Sequence, residues 1–423
     1  MSPRRFAALT QMCGKVEAAE RMMGMVSESM RRLGAQGNPM RVLFEYGKKR
    51  AAVIGAENVF DFSLGNPSVP PHARVNEVIM EVLSGEKRDT IHAYTSAIGD
   101  QEVRDAIADS LNRRFDAGCR GSDLFLTCGA APALCACFKG LYCPGDKFMV
   151  ITPYFTEYKV FIHGAGAEVV EVPAQRGTFL LDIPAIEAAL DPHVKGIVIN
   201  SPNNPSGVVY PKENLDALAG LLRRKEKEYG APIYLISDEP YREIVYDGIE
   251  VPWVPHCYEN TLVCYSYSKC LSLPGERIGY VLVSPSMEDH DTVYQAVAGA
   301  GRAVGHINAP SLFQQVAAAC CGLVSDLTAY TVNRNLLYES LTAMGFQCVK
   351  PDGTFYLLVK SPEPDAAAFS RKAMELDLLF PDTGSFACPG YVRIAYCVPT
   401  SRVEQSIPKF RELARLYGLK GTE

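Results

Sequence analysis

No run in this 423-residue sequence approaches the roughly 18 consecutive apolar residues that a membrane-spanning helix requires, so no membrane partner is expected. A basic block is missing as well. The formal net charge is −6, which removes the electrostatic reason to expect a nucleic acid or an anionic lipid surface. The opening MSPRRFAALTQMCGKVEAAE has a basic pair but lacks the apolar centre of a secretion signal. Glu17 and Glu20 are out of place in an organellar presequence, so the segment reads as an N-terminal arm. Cysteine is plentiful, at 14 residues, yet paired CxxC knuckles are absent: Cys135 and Cys137 are separated by one residue, and Cys320 and Cys321 are adjacent. No metal site is expected from that spacing. Most thiols stand in apolar runs such as LCACF and AACCG, where cysteine acts as a small hydrophobe, and so many unpatterned thiols suit a reducing cytoplasm. Internal repeats, low-complexity linkers and a helix-turn-helix extension are also lacking, which argues against a DNA-binding regulator.

What is present is ordinary for a globular chain, with 48% apolar and 21% charged residues. The length exceeds one small core and suits two domains. Between about residues 120 and 285, short β-branched runs alternate with helical stretches. DLFLTC, KFMVITP, EVVEVPA, GIVINSP, IYLISDEP, LVCYSYSK and IGYVLVSP read as buried parallel strands, with helices between them on both faces of the sheet. The expected fold class is therefore α/β. The flanks differ: the segment before about residue 70 is mostly helical, and a helix is expected around 311–344, followed by the α+β pattern GTFYLLVK, AFSRKAMELDLLF and YVRIAYCV. The division expected is an arm with part of a small domain over 1–70, a large domain over 71–310 and a small C-terminal domain over 311–423, the small domain drawing on both chain ends.

Ligands of open α/β sheets bind beyond the carboxyl ends of the strands, and four of those ends carry polar residues. GIVINSP runs into Asn203-Asn204-Pro205-Ser206-Gly207, and IYLIS into Asp238-Glu239-Pro240-Tyr241. LVCYSY runs into Ser268-Lys269, and DLFLTC into Gly129-Ala130-Ala131 at a helix start. Taken singly each is a turn or a cap. GAGRAVG (299–305) imitates a dinucleotide loop, but it follows a helical stretch instead of a strand.

With SLGNPS, YTSAIGDQEVRDAIA, PYFTEY, NSPNNPSG, SDEPYREI, SYSKCLSLPGERIGY and YVRIAYC, the sequence resembles the class I/II aminotransferases of the aspartate-aminotransferase type over nearly its whole length. The sharpest piece is SxSK with an arginine eight residues after the lysine. The resemblance implies fold type I, with pyridoxal 5′-phosphate (PLP) as cofactor. Lys269 resembles the Schiff-base lysine and proton shuttle. Asp238 resembles the carboxylate that keeps the pyridine nitrogen protonated; a helix N-cap is the competing reading of an acid in that turn. Tyr241 and Asn204 would hydrogen-bond the ring's 3-oxygen, Pro240 would lie beneath one ring face, and Phe155 would stack on the other. Gly129, Ala130 and Ala131 match the phosphate loop at a helix N-terminus, with Ser266, Ser268 and Arg277 completing the cup. Tyr94 resembles the tyrosine that reaches the phosphate from the neighbouring subunit, which implies a homodimer. Arg393 matches the arginine that clamps the substrate α-carboxylate, assisted by the Gly65 N–H.

The reaction implied moves an amino group from an L-amino acid to a 2-oxo acid by a ping-pong route through pyridoxamine phosphate. A carbon–sulfur β-lyase on the same scaffold is the alternative, because Lys269, Asp238, Tyr241 and Arg393 serve both. Substrate choice stays open. Arg302 stands near the place from which a partner subunit lends a second arginine in dicarboxylate-specific relatives, while Tyr154, Phe155, Tyr158 and Tyr46 would line a pocket for an aromatic or aliphatic side chain.

Overall fold

The structure is a computed structural model that describes residues 26–35 and 39–421. The first strand, β1 (Phe60–Asp61), pairs in parallel with β11 (Leu378–Leu379). The strands expected from the central run all form: β2 (Leu124–Thr127), β3 (Lys147–Thr152), β4 (Glu168–Pro173), β5 (Val194–Asn200), β6 (Tyr234–Asp238), β7 (Thr261–Ser266) and β8 (Gly279–Val283). They make one sheet in the order β2-β8-β7-β6-β5-β3-β4.

The sheet is mostly parallel, as expected, but IGYVLVSP, read with the parallel strands, is reversed. β8 runs antiparallel to both β7 and β2, while β7, β6, β5, β3 and β4 pair in parallel. A parallel return needs a crossover of about a dozen residues or more, usually helical. Residues 267–278 are just a dozen and hold only the four-residue helix Tyr267–Cys270, with no crossover helix to carry the chain back across the sheet, so it doubles back beside β7.

Side-chain alternation explains the layering, because successive residues of a strand face opposite sides. Phe148 and Val150 of β3, Val198 of β5, Ile236 of β6 and Leu262 of β7 share one apolar core with the helices Ala130–Leu141, Glu157–Ala165 and His290–Ala303. Their neighbours Met149, Ile151, Ile197, Ile199 and Leu235 face the helices Ile183–Ala189 and Lys212–Tyr229 on the other side. Val263, Tyr265, Tyr280 and Leu282 meet Ala73–Ser84, Gln101–Phe115 and Ser311–Ala319. This is the α/β fold with helices on both faces, and both faces are dry, as the continuous apolar runs require.

The last third of the chain adds an antiparallel sheet in which β10 (Tyr356–Lys360) lies between β9 (Cys348–Val349) and β12 (Tyr391–Ala395). Its core joins Tyr356, Leu357, Val392 and Ile394 to Phe60 and Phe62 from the early segment and to Tyr241 and Ile244 from the loop after β6. The single helix expected around 311–344 is two, Ser311–Ala319 and Thr328–Ala343. Gly322 breaks it at φ +79, and the Ser325 N–H is drawn 2.7 Å to the Cys270 carbonyl beside the β7 turn. Among the described residues no helix is long and apolar enough to cross a membrane.

Candidate active site

The carboxyl ends of β2, β5, β6 and β7 open onto one cavity of about 300 Å³, closed from the other side by β10, β12 and the Leu64–Gly65 turn. The strand order reverses between β3 and β5, and a cleft opens at such a reversal.

At the β2 end, Gly129 caps the helix Ala130–Leu141 at φ +100, and no side chain caps that N-terminus. A Cβ on Gly129 would fall 2.8 Å from Nη2 of Arg277, so glycine serves both the backbone turn and the close approach. Ala130 and Ala131, first in the helix, line the cavity with Arg277. Arg277 itself holds φ +54 and gives an Nη1 hydrogen bond to the Pro274 carbonyl at 2.9 Å. Ser266 and Ser268 line the same end, their hydroxyls 2.6 Å apart. Ser266 also caps the turn that carries Lys269, accepting the Ser268 N–H at 3.1 Å.

Asp238 ends β6, opposite Asn200 in the β5 register. Its Oδ2 accepts the Tyr158 hydroxyl at 2.5 Å, while Oδ1 is buried with no hydrogen-bond partner. Burial lifts the carboxyl to about 7, with Tyr158 pulling it down and the neighbouring Glu239 pushing it up. Glu239 and Arg242 point away from the cavity as a buried ion pair, the guanidinium lying against the rings of Phe115, Trp253 and Tyr265. A hydrogen-bonded chain leaves Asp238 across the cavity floor. Its carbonyl accepts Asn200 Nδ2 at 2.8 Å, Asn200 Oδ1 accepts the Asn204 N–H at 2.7 Å, and Asn204 Oδ1 accepts Arg393 Nη1 at 3.1 Å.

Lys269 donates from Nζ to the Gly65 carbonyl at 2.7 Å. Loss of solvent lowers its ammonium to about 8; Cys397 opposes that shift, and the Arg393 and Arg277 cations add to it. Arg393 is 2% exposed in the middle of β12, between the buried Val392 and Ile394. Its Nη2 reaches the Ser63 carbonyl at 2.7 Å and the Met40 sulfur at 3.1 Å, and its Nε is buried without a hydrogen-bond partner. Phe155, Pro240, Tyr241 and Tyr356 complete the walls.

The cavity therefore gathers nearly every residue that the sequence singles out. Tyr94 is not among them: it is 95% exposed and lines a separate surface depression with Lys87 and Gln315. Arg302 is exposed in the last turn of its helix, away from the cavity. Of the four aromatics expected in a side-chain pocket, only Phe155 is there. Tyr158 is turned under the floor to Asp238, Tyr154 is buried against Glu171, and Tyr46 is on the surface. In PYFTEY, Tyr154 and Phe155 stand in the irregular link before the helix Glu157–Ala165 and Tyr158 in its first turn, so the three do not share one wall. Asn200, Met40, Leu64 and Tyr356 line the cavity without having been anticipated.

Known proteins share this fold. The model of the family "Aminotransferase class I and II" matches residues 57–410. The aspartate/prephenate aminotransferase of Thermus thermophilus is 30% identical over 84% of this chain and 90% of its own. A solved amino transferase from Eubacterium rectale is 52% identical, covers 93% of this chain and 99% of that one, and superposes with a TM-score of 0.91. The Thermus thermophilus aspartate aminotransferase solved with maleate is 27% identical at a TM-score of 0.79, over 90% and 98% of the two chains. Family model, relatives and fold agree: this chain belongs to the class I and II aminotransferases, and it is an aminotransferase.

Proposed function

We propose that the cavity holds PLP and that the enzyme moves an amino group from an L-amino acid to a 2-oxo acid in two half-reactions of a ping-pong cycle. The observation that carries this reading is Asp238: a fully enclosed carboxyl with one oxygen satisfied by Tyr158 and the other without a partner. A buried carboxylate needs a cation, and a protonated pyridine nitrogen is a cation of the right size and polarity for Oδ1. Class I and II aminotransferases use PLP, and the uncapped helix N-terminus at Gly129 fits its phosphate group.

When bound, PLP supplies the electron sink for the charge left when the amino acid's α-carbon loses its proton. The chain supplies the rest. Ala130 and Ala131 amides, Ser266, Ser268 and Arg277 would hold the phosphate, joined by Tyr94 of the partner subunit in a homodimer. Tyr241 and Asn204 would hydrogen-bond the 3-oxygen, with Pro240 and Phe155 confining the ring faces. Arg393 would take the substrate α-carboxylate by its planar fork, assisted by the Gly65 N–H. Lys269 Nζ, with its ammonium lowered to about 8, is neutral often enough near neutral pH to take the α-proton and return it. The carbon–sulfur lyase alternative finds no support in the relatives, whose names are those of aminotransferases.

An absorbance spectrum of the PLP-loaded protein, repeated with single amino acids, tests the reading. The relatives' names span aspartate and valine, so the panel includes acidic, aliphatic and aromatic donors. A visible band that bleaches with a donor and returns with a 2-oxo acid is the expected result. Release of pyruvate and ammonia from cystathionine with the band intact would overturn it.

Tyr158→Phe offers a graded check on the Asp238 anchor. Cofactor retention requires the carboxylate, so it falls as pH drops through the acid's pKa. Removing the Tyr158 hydrogen bond raises that pKa. The pH at which half the cofactor is lost should rise by about one unit, the usual worth of one hydrogen bond to a charged group. An unchanged midpoint would show that Tyr158 does not tune Asp238.

A further inference from the structure

Tyr356 is a cavity residue that no strand-end motif contains. It opens β10, is buried, and places its hydroxyl 2.9 Å from the hydroxyl of Tyr241. The Arg393 guanidinium lies over its ring at 4.4 Å. A Cβ on Gly65 would stand 1.9 Å from Tyr356 Oη, so Gly65 is what leaves room for this hydroxyl. One phenol thus touches the residue assigned to the cofactor's 3-oxygen, the carboxylate arginine and the turn whose carbonyl holds Lys269.

We propose that Tyr356 is a positioning residue that acts through Tyr241, orienting the Tyr241 proton toward the cofactor's 3-oxygen while its own ring seats Arg393. This rests on the cofactor reading above. A phenol has one proton to give. When Tyr241 gives its proton to the 3-oxygen, the hydrogen bond between the two tyrosines must run from Tyr356 to Tyr241. Donors in series polarise one another, so Tyr356 strengthens Tyr241 as a donor. The Arg393 cation over the Tyr356 ring draws charge from the phenol and adds to the effect. The charged and titratable groups around the pair are Arg393 and Cys397 beside Tyr356, Asp238 and Arg393 beside Tyr241, and Lys269 with Arg277 across the cavity.

A pH titration of the visible band of the PLP-loaded protein, compared among wild type, Tyr356→Phe, Tyr241→Phe and the double variant, tests this. Weakening the donor at the 3-oxygen leaves more negative charge beside the lysine link, which then holds its proton more tightly. Tyr356→Phe should raise the band's pKa by about half a unit to one unit and raise KM for the amino donor several-fold, by loosening Arg393. In the Tyr241→Phe background the same substitution should move the band's pKa by less than about 0.2 units, because the relay is already cut. An unmoved band in Tyr356→Phe, or an equal shift in both backgrounds, overturns the proposal while leaving the cofactor reading intact. A wild-type protein that develops no visible band with PLP overturns both.

Discussion

Lys269→Ala is expected to abolish the visible PLP band and to slow transamination by on the order of 10⁴-fold or more, with the fold retained. The size follows from what one side chain does. Among the described residues lining the cavity there is no second lysine, so no other amine can carry the cofactor or move the α-proton. A positioned acid–base group alone is worth about 10²–10⁴-fold, and here the covalent anchor goes with it. The fold survives because Lys269 gives one hydrogen bond, to the Gly65 carbonyl, and sits on a turn held by the Ser266 cap and the Leu271 N–H. Absorbance, turnover and a melting curve check all three parts. A band that persists in Lys269→Ala would sink the assignment.

Asp238→Asn is expected to weaken PLP binding and to slow turnover, each by about 10²–10³-fold. The amide keeps the shape but not the charge, and removing one partner of a buried charged pair costs about 2–5 kcal/mol. The cofactor-free protein should respond in the opposite sense. Burial raises Asp238 to about 7, so on unfolding the carboxyl returns to its ordinary range near 4. Below that range the acid is protonated in both states and carries no penalty. Between about 4 and 7 the unfolded chain releases a proton that the folded chain retains, so the folded state loses ground as pH rises. Above about 7 the loss levels off at an amount on the order of 4 kcal/mol. Asparagine carries no such penalty, so cofactor-free Asp238→Asn should melt above the cofactor-free wild type at pH 8, with the gap closing toward pH 4. Equal melting at both pH values would show that the buried charge is compensated elsewhere. On the expected result, the acid is a residue kept for binding at the expense of the empty fold.

These two residues were legible in the sequence because strand ends are where an α/β sheet exposes chemistry. Asp238, Lys269 and Asn204 each stand at or a few residues beyond the end of a buried strand, and a charge or amide at such a point has few structural reasons to be there. Arg393 was legible for the same reason inside YVRIAYC. Tyr356 and Met40 were not. An aromatic in GTFYLLVK reads as core, and most of Tyr356 is core; only its hydroxyl meets Tyr241, 115 residues earlier. Asn200 reads as the last residue of a strand, and its hydrogen bond to the Asp238 carbonyl is invisible until β5 and β6 are in register. The reversal of β8 depends on whether its connection folds into a crossover helix, which the apolar run of the strand itself does not report. Tyr94 and Arg302 lie on the surface of this chain, and the roles that the resemblance implies for them would require a second subunit.

Arg393 has a consequence for how the protein comes into being. Its guanidinium binds Asn204, Ser63 and Met40, which lie 189, 330 and 353 residues from it along the chain. Contacts of that span close late, since a long loop must be ordered before any of them is made. On the ribosome, the central sheet from β2 to β8 has been synthesised well before residue 393 emerges. The pocket around Arg393, which we propose takes the substrate carboxylate, is thus among the last features to be assembled, and on that proposal a nascent chain holding a finished sheet still has no place for its amino acid.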